Sequence, residues 1–470
     1  MTPQPHAVLL PLYLELYDQA IPHVRPPLEA FSRQVAGGLA ARGLNVTTAP
    51  LCRTAGEVAA ALSAPAAAQA DCIVTLHVSY SPSLASAVLL ARSPLPVVIC
   101  DTTMDFDFAP GVAVERILYN HGIHGVQDLA SVLRRMGKPF AIAAGHVEQS
   151  PVLARTANLV RAAQASRRLA RMKALRVGAP FEGMGDFAPG DEVLRHLLGI
   201  QIDQIGPADL AAAAGRLTPA EIDAEMARDR QDFTVTAGED VHRRSVRVGL
   251  ALRRRLEEGG YGAFSMNFQA FTSPAEPINT PPFLECCRAM ARGIGYAGEG
   301  DVLTACLVGA LAGSLGHTTF TEIFCPDWRG GSLLLSHMGE INPLLADGRP
   351  LLCEKPFPFA GALNPAVPAC ALRPGRAVLV NLAPGPADTF GILAAAVDVL
   401  AETPPGAPPT EATPLREQIR GWIRPDRPLP DFLEDYSRHG GTHHSALVMG
   451  GSMEAVEAFA LFAGLEYRRV

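Results

Sequence analysis

Two adjacent histidines, His443 and His444, sit in the small-residue run Gly440-Gly441-Thr442-His443-His444-Ser445, which reads as a turn that leaves the imidazoles exposed. Three other unusual local sequences precede it: Gly298-Glu299-Gly300-Asp301, Thr319-Phe320-Thr321-Glu322 and Leu335-Ser336-His337-Met338. In chain order these segments supply Glu299, Glu322, His337 and His444. Two carboxylates and two neutral imidazoles suit a divalent first-row ion such as Mn, Co or Fe. Such a set leaves positions open for substrate oxygens or water, as a catalytic centre requires. Each piece alone also has a plain structural reading. Glu299 and Asp301 stand where the apolar, Ala-rich stretch Gly300–Ser314 begins, and any carboxylate at a helix start gains from the helix dipole.

The glycines around Glu299 formally match a dinucleotide fingerprint, Gly293-x-Gly295-x-x-Gly298. They follow a helical segment, Phe283–Arg292, whereas the fingerprint needs a strand before its first glycine. No nucleotide is expected there. Close backbone approach, with Glu299 turned into a cavity, explains the glycines better.

Elements able to position these groups are legible upstream. Ala7–Leu12, Cys72–His77, Val97–Cys100 and Phe140–Ala144 are short apolar blocks and read as buried strands. Val24–Arg42, Gly56–Leu62 and His124–Met136 read as helices between them, which implies an open parallel α/β sheet. Ligands of such sheets sit beyond the carboxyl ends of the strands, where His77, Thr102 and Thr103 fall. Pro151–Lys173 reads as a long closing helix, and its basic run Arg167–Lys173 as a solvated helix face.

A second α/β unit begins at Leu175–Gly178, with helices at Thr218–Asp229 and Glu239–Glu258 and a strand at Ala263–Phe268. Thr218-Pro219-Ala220-Glu221 has the cap, the proline and the glutamate of a helix start. From about residue 321 helical periodicity fades, and Ser332–Leu335, Leu351–Cys353 and Ala377–Leu382 read as strands of a small antiparallel barrel or sandwich. The Pro-rich stretch Thr403–Pro409 reads as a loop. The fold class expected is α/β: two open parallel-sheet α/β domains, 1–173 and 174–320, then a mostly antiparallel, barrel-like domain, 321–470.

Composition narrows the function classes. A chain of 470 residues exceeds a single core. A net charge of −7 argues against nucleic acid, which needs concentrated basic surface. Nine scattered cysteines without C-x-x-C spacing fit reduced thiols in a cytoplasm better than a disulfide framework. Leu9–Leu14 is too short to span a bilayer, so no membrane association is expected.

The stretch Gly293–Asp301 resembles a run of the L-arabinose isomerases, and Thr318–Ile323, Leu335–Glu340 and Gly440–Ser445 resemble, in the same order, three runs that follow it in that family. Fainter likeness covers Thr75–Pro82, Asn120–Gly125 and Leu256–Phe264. The resemblance implies a metal-dependent aldose–ketose isomerase acting on an arabinose-like pentose or related free sugar through an enediol(ate). Glu299 and Glu322 would serve as acid and base, and Glu299, Glu322, His337 and His444 would hold Mn²⁺ or another divalent ion such as Co²⁺, Fe²⁺ or Mg²⁺. It places His443, Met184 and Phe268 at the substrate. It also places His124 in a neighbouring subunit's pocket, which implies a homo-oligomer, trimer or hexamer, with a shared active site.

Two regions depart from the family, Leu10–Tyr17 and Phe357–Pro365, and both would shape the far end of the sugar pocket. An epimerase or other enediolate enzyme on a different sugar or sugar acid stays open, as does a non-catalytic sugar-binding protein. Four retained ligands speak against the last.

Overall fold

The computed structural model describes residues 4–275, 277–402 and 417–470. Thr403–Pro409 lies outside them. The chain divides into two compact units, one running to Arg167 and including Glu457–Gly464, the other comprising Arg168–Val456 and Leu465–Val470.

The first unit holds a five-stranded sheet of β1 (His6–Leu12), β2 (Asn45–Thr48), β3 (Cys72–His77), β4 (Val97–Asp101) and β5 (Phe140–Ala144). The order is β2-β1-β3-β4-β5 and every pairing is parallel. All six residues of β3 are buried, as a central parallel strand covered on both faces must be. Helix Gly122–Arg135 buries Gly122, Gly125, Val126, Leu129 and Leu133, a single stripe at helical spacing. Helix Ala55–Ser63 starts with a full capping box between Thr54 and Glu57.

The second unit opens with β6 (Lys173–Val177), β7 (Gln201–Ile205), β8 (Thr234–Val235), β9 (Ala263–Met266) and β10 (Gly295–Gly298). β10-β9-β6-β7 form a parallel sheet. The closing helix expected to reach Lys173 stops at Leu169, and Lys173 already belongs to β6. Arg168 of the basic run is not simply solvated, because its guanidinium donates to the Gly309 carbonyl at 2.9 Å. The capping box at Thr218 and Glu221 forms as expected.

Then follow β11 (Thr318–Asp327), β12 (Ser332–Ser336), β13 (Leu351–Glu354), β14 (Ala366–Ala369), β15 (Gly375–Pro384), β16 (Phe390–Leu400), β17 (Gly421–Pro425), β18 (His444–Met449) and β19 (Glu466–Arg469). Six of them close on themselves as β15-β18-β11-β12-β17-β16, with β16 returning to β15 and β19 added alongside β16. Leu333, Leu335, Ala377, Leu379, Leu393, Ala395, Val397 and Leu447 form one buried cluster, and their period of two along each strand is what fills a small barrel. Leu351–Glu354 does not join the barrel; β13 pairs with β14 and β8 in a separate small sheet.

Helix Val302–Leu311 has all ten residues buried. It packs on β6, β9 and β10 of the parallel sheet and on β11, β15 and β18 of the barrel, which is why its sequence is apolar all round. The start of that helix is where sheet and barrel meet.

Candidate active site

Barrel register brings three of the sequence-derived ligands together. Glu322 pairs with His444 on the last rung of β11 and β18, and with Ser336 on the last rung of β12. His337 is the next residue after Ser336. Directly opposite side chains share a face and lie close, so the register alone juxtaposes Glu322 and His444. A bulge in β11 follows immediately, between Ile323 and Cys325. Bulges of this kind re-aim side chains beside functional sites.

Glu299 comes from the other half, as the first residue past the carboxyl end of β10. Its backbone takes φ 64°, the left-handed region that costs a side chain energy and that structures retain mainly at functional positions. The flanking glycines are sterically required. A Cβ on Gly298 would lie 2.7 Å from His337 Cε1, and one on Gly300, at φ 83°, would lie 2.6 Å from Pro180 Cα. Glu299 is buried, with its Oε2 3.5 Å from His444 Nε2. His337 Nε2 lies 3.9 Å from Glu322 Oε2.

Ligand atoms of Glu322, His337 and His444 all fall within 4.8 Å of one another, and so do those of Glu299, His443 and His444. His444 belongs to both groups. The expectation that both imidazoles are exposed fails for it: His444 opens β18 and is fully buried, because it faces Glu322 across the ladder. Its Nε2 has no hydrogen-bond partner. A buried imidazole nitrogen left unpaired beside two carboxylates is a donor set that could hold a cation, since a polar atom without any partner costs free energy.

Each histidine is held from behind by a carboxylate; of the three, sequence reasoning gave a role only to Asp301, as a carboxylate at a helix start, which it is. Glu340 Oε2 accepts from His337 Nδ1 at 2.7 Å and from the Gly339 N–H at 2.8 Å, while Tyr296 donates its hydroxyl to Oε1 at 2.6 Å. Asp301 accepts from His444 Nδ1 at 3.0 Å through one oxygen and caps the helix at Thr304 N–H through the other. Asp186 Oδ2 accepts from the His443 N–H at 3.0 Å and from its Nδ1 at 2.7 Å. With Nδ1–H given to a carboxylate, Nε2 is the nitrogen left for a ligand, the usual outer arrangement around metal-binding imidazoles. The Asp301 and Glu340 contacts had a visible signal, since both residues lie in the motif runs. Asp186 had none.

Electrostatics follow from burial and these pairs. Burial pushes the Glu322 carboxyl up, although His337 and His444 partly offset it. Burial opposes charge on His337, yet Glu340 beside it holds its pKa above the ordinary value. His443 is likewise raised against burial, to about 9, by Glu299 and Asp186.

Aromatic rings pack the surroundings. Phe320 stands edge-on to His337 and His444 at 4.7 and 4.9 Å, and Phe187 stacks on His444 at 4.8 Å. Phe268, expected at the substrate, is buried and lies 5.9 Å from Phe181 and 5.4 Å from Phe357. Met184 is half-buried in the same turn as Phe181, whose N–H donates to the Glu299 carbonyl at 2.9 Å. His124 belongs to the first unit, in the first turn of helix Gly122–Arg135, with its ring 5.7 Å from His121 and 6.4 Å from Tyr80.

Residues 187–314 match the L-arabinose isomerase central domain, and residues 317–466 match the L-arabinose isomerase C-terminal domain. The chain is 31% identical to an L-arabinose isomerase of Nocardioides sp., over 74% of this chain and 69% of that protein. The chain belongs to the L-arabinose isomerase family. Other relatives include the L-arabinose isomerases of Acidothermus cellulolyticus, 28% identical over 84% of this chain and 79% of that protein, and of Levilactobacillus brevis, 28% identical over 74% and 73%. Membership makes it an aldose–ketose isomerase, an intramolecular oxidoreductase of carbohydrate metabolism. The central-domain match and, except for Glu457–Gly464, the C-terminal-domain match lie in the second unit, together with every residue of the cluster. Among the described residues no helix is long and apolar enough to cross a membrane.

Proposed function

We propose that this isomerase is metal-dependent and interconverts a small free aldose and its ketose through an enediol(ate), with Glu299 and Glu322 as the acid and base. The supporting observation is the convergence of these carboxylates with His337 and His444 around an unpaired, buried imidazole nitrogen. The donor set fits a hard or borderline divalent ion such as Mn²⁺, Co²⁺, Fe²⁺ or Mg²⁺. When bound, that ion supplies Lewis acidity and a template for the two sugar oxygens that exchange roles.

The residues then have distinct roles. One carboxylate takes the proton from C2 of the aldose and returns it to C1; the other carries a proton between the two oxygens, so that nothing is gained or lost. Burial of Glu322 raises its proton affinity, which favours proton transfer at neutral pH. Phe320 and Phe187 pack against the imidazoles and exclude water from the buried side. His443, half-exposed beside Glu299, is the group placed to bind a sugar hydroxyl, with Met184 and Phe268 on the wall around Phe181.

The substrate is an arabinose-like pentose or a close relative. Three functional segments, 1–173, 174–320 and 321–470, are proposed to assemble as a cytoplasmic homo-oligomer in which His124 completes a neighbouring site. All nine cysteines are free, in keeping with a reducing compartment. A panel of aldoses, ketoses and aldonates incubated with Mn²⁺ and read by chromatography tests the chemistry. Aldose–ketose interconversion supports it; epimers without ketose would establish the other enediolate reading. Activity recovered on mixing His124→Ala and Glu299→Gln chains would support the shared site, and full activity of the His124→Ala homomer would refute it.

A further inference from the structure

His443 differs from the other two histidines in where its support comes from. Glu340 is three positions from His337, and Asp301, though 143 positions from His444, stands two residues from the proposed ligand Glu299 at the start of a buried helix. Asp186 is 257 positions from His443 and lies in the loop between Gly178 and Gly190. One oxygen of that carboxylate takes both the backbone N–H and the ring Nδ1–H of His443, which fixes the residue at two points. The ring is 32% exposed, and its Nε2 is 3.9 Å from Glu299 Oε2, too far for a hydrogen bond. Asp186 is therefore the group that sets the orientation of this imidazole.

The segment around Asp186 is held by the site rather than by a core of its own. Glu182, Gly183, Gly185, Asp186 and Ala188 are exposed, so little packing fixes them. Three anchors fasten the segment instead: Phe181 N–H bonds the Glu299 carbonyl, Phe187 lies flat on His444 with 7° between the rings, and Asp186 bonds His443. The first two anchors reach proposed metal ligands. The third reaches a residue outside the ligand set.

We propose that Asp186 is a positioning residue for the isomerase reaction, holding His443 with Nδ1–H turned outward and Nε2 turned toward the position of a sugar hydroxyl beside Glu299. The proposal rests on the reading of the cluster as a sugar isomerase site. Asp301 and Glu340 then serve ion binding, whereas Asp186 serves substrate orientation.

The test compares Asp186→Ala, Asp186→Asn and Asp301→Ala in the full chain. Asp186→Ala should lower kcat/KM by about 10- to 100-fold while Mn²⁺ affinity, read by calorimetry, stays within about twofold. Asp186→Asn keeps an acceptor for both donors and should lose roughly tenfold less. Asp301→Ala should weaken Mn²⁺ binding itself by about 10-fold or more. A crystal structure of the metal-free Asp186→Ala protein should show the His443 ring turned away. The proposal is overturned if Asp186→Ala leaves turnover unchanged, weakens Mn²⁺ as Asp301→Ala does, or leaves the ring in place. A wild-type protein inactive on every sugar would instead sink the isomerase reading, and the ring orientation would still decide the role of Asp186.

Discussion

Gly298→Ala perturbs the site without removing any candidate ligand. The added Cβ would lie 2.7 Å from His337 Cε1 and 3.1 Å from Nε2. Ordinary carbon contacts sit near 3.5–4.0 Å, so the ring must retreat by about 1 Å. It has nowhere to go: Glu340 holds Nδ1 at 2.7 Å and Phe320 lies 4.7 Å from the ring. Overpacking of this kind costs about 1–3 kcal/mol of stability. A reacting group misplaced by about 1 Å costs about 100-fold in rate. A thermal midpoint and a turnover assay measure these two effects, and Mn²⁺ calorimetry on the metal-free variant reads the confinement of the ring directly. Binding as tight as wild type together with an unchanged midpoint would show that the ring is not confined by the β10 backbone.

Three further outcomes are expected. Glu322→Gln should lower turnover by about 100-fold or more with Mn²⁺ still bound, because an amide cannot take a proton; retained turnover would remove Glu322 from the acid–base pair. Burial pushes the His77 imidazole down to about 4, below its ordinary value near 6.5. The unfolded chain therefore takes the proton first, and about 3 kcal/mol of stability present above pH 6.5 should be lost as pH falls toward 4. His77→Gln should flatten that dependence in urea melts, and an unchanged slope would contradict it. Arg253 bridges buried Glu225 and Glu285 at 2.6 and 2.7 Å, and Arg288 and Arg292 still pair those carboxylates without it, so Arg253→Met should cost about 1.5–3 kcal/mol through lost charged hydrogen bonds and lower the thermal midpoint, which an unaltered melt would disprove.

The parallel-sheet strands His6–Leu12 and Cys72–His77 were legible because buried parallel strands are continuous apolar blocks. Asn45–Thr48 was not, since it is a half-exposed edge strand without such a block. β10 gave no strand signal for another reason: its four residues, Gly295–Gly298, are half glycine, and their role is close approach rather than strand propensity. The proposed ligands Glu299, Glu322, His337 and His444 were visible because each stands in a short motif of unusual composition. That His444 is buried was not, because its burial arises from the β11–β18 register, which no local pattern encodes. Asp186 was invisible for the same reason, as its partner is brought to it only by the tertiary fold.

The proposed metal-dependent isomerisation requires one divalent ion held by Glu299, Glu322, His337 and His444. Anomalous diffraction from crystals soaked in Mn²⁺ addresses that requirement directly. One peak per chain is expected, with oxygen and nitrogen atoms of those four side chains at about 2.0–2.2 Å. Absence of a peak under saturating Mn²⁺, or a peak bound elsewhere while turnover persists, would contradict it.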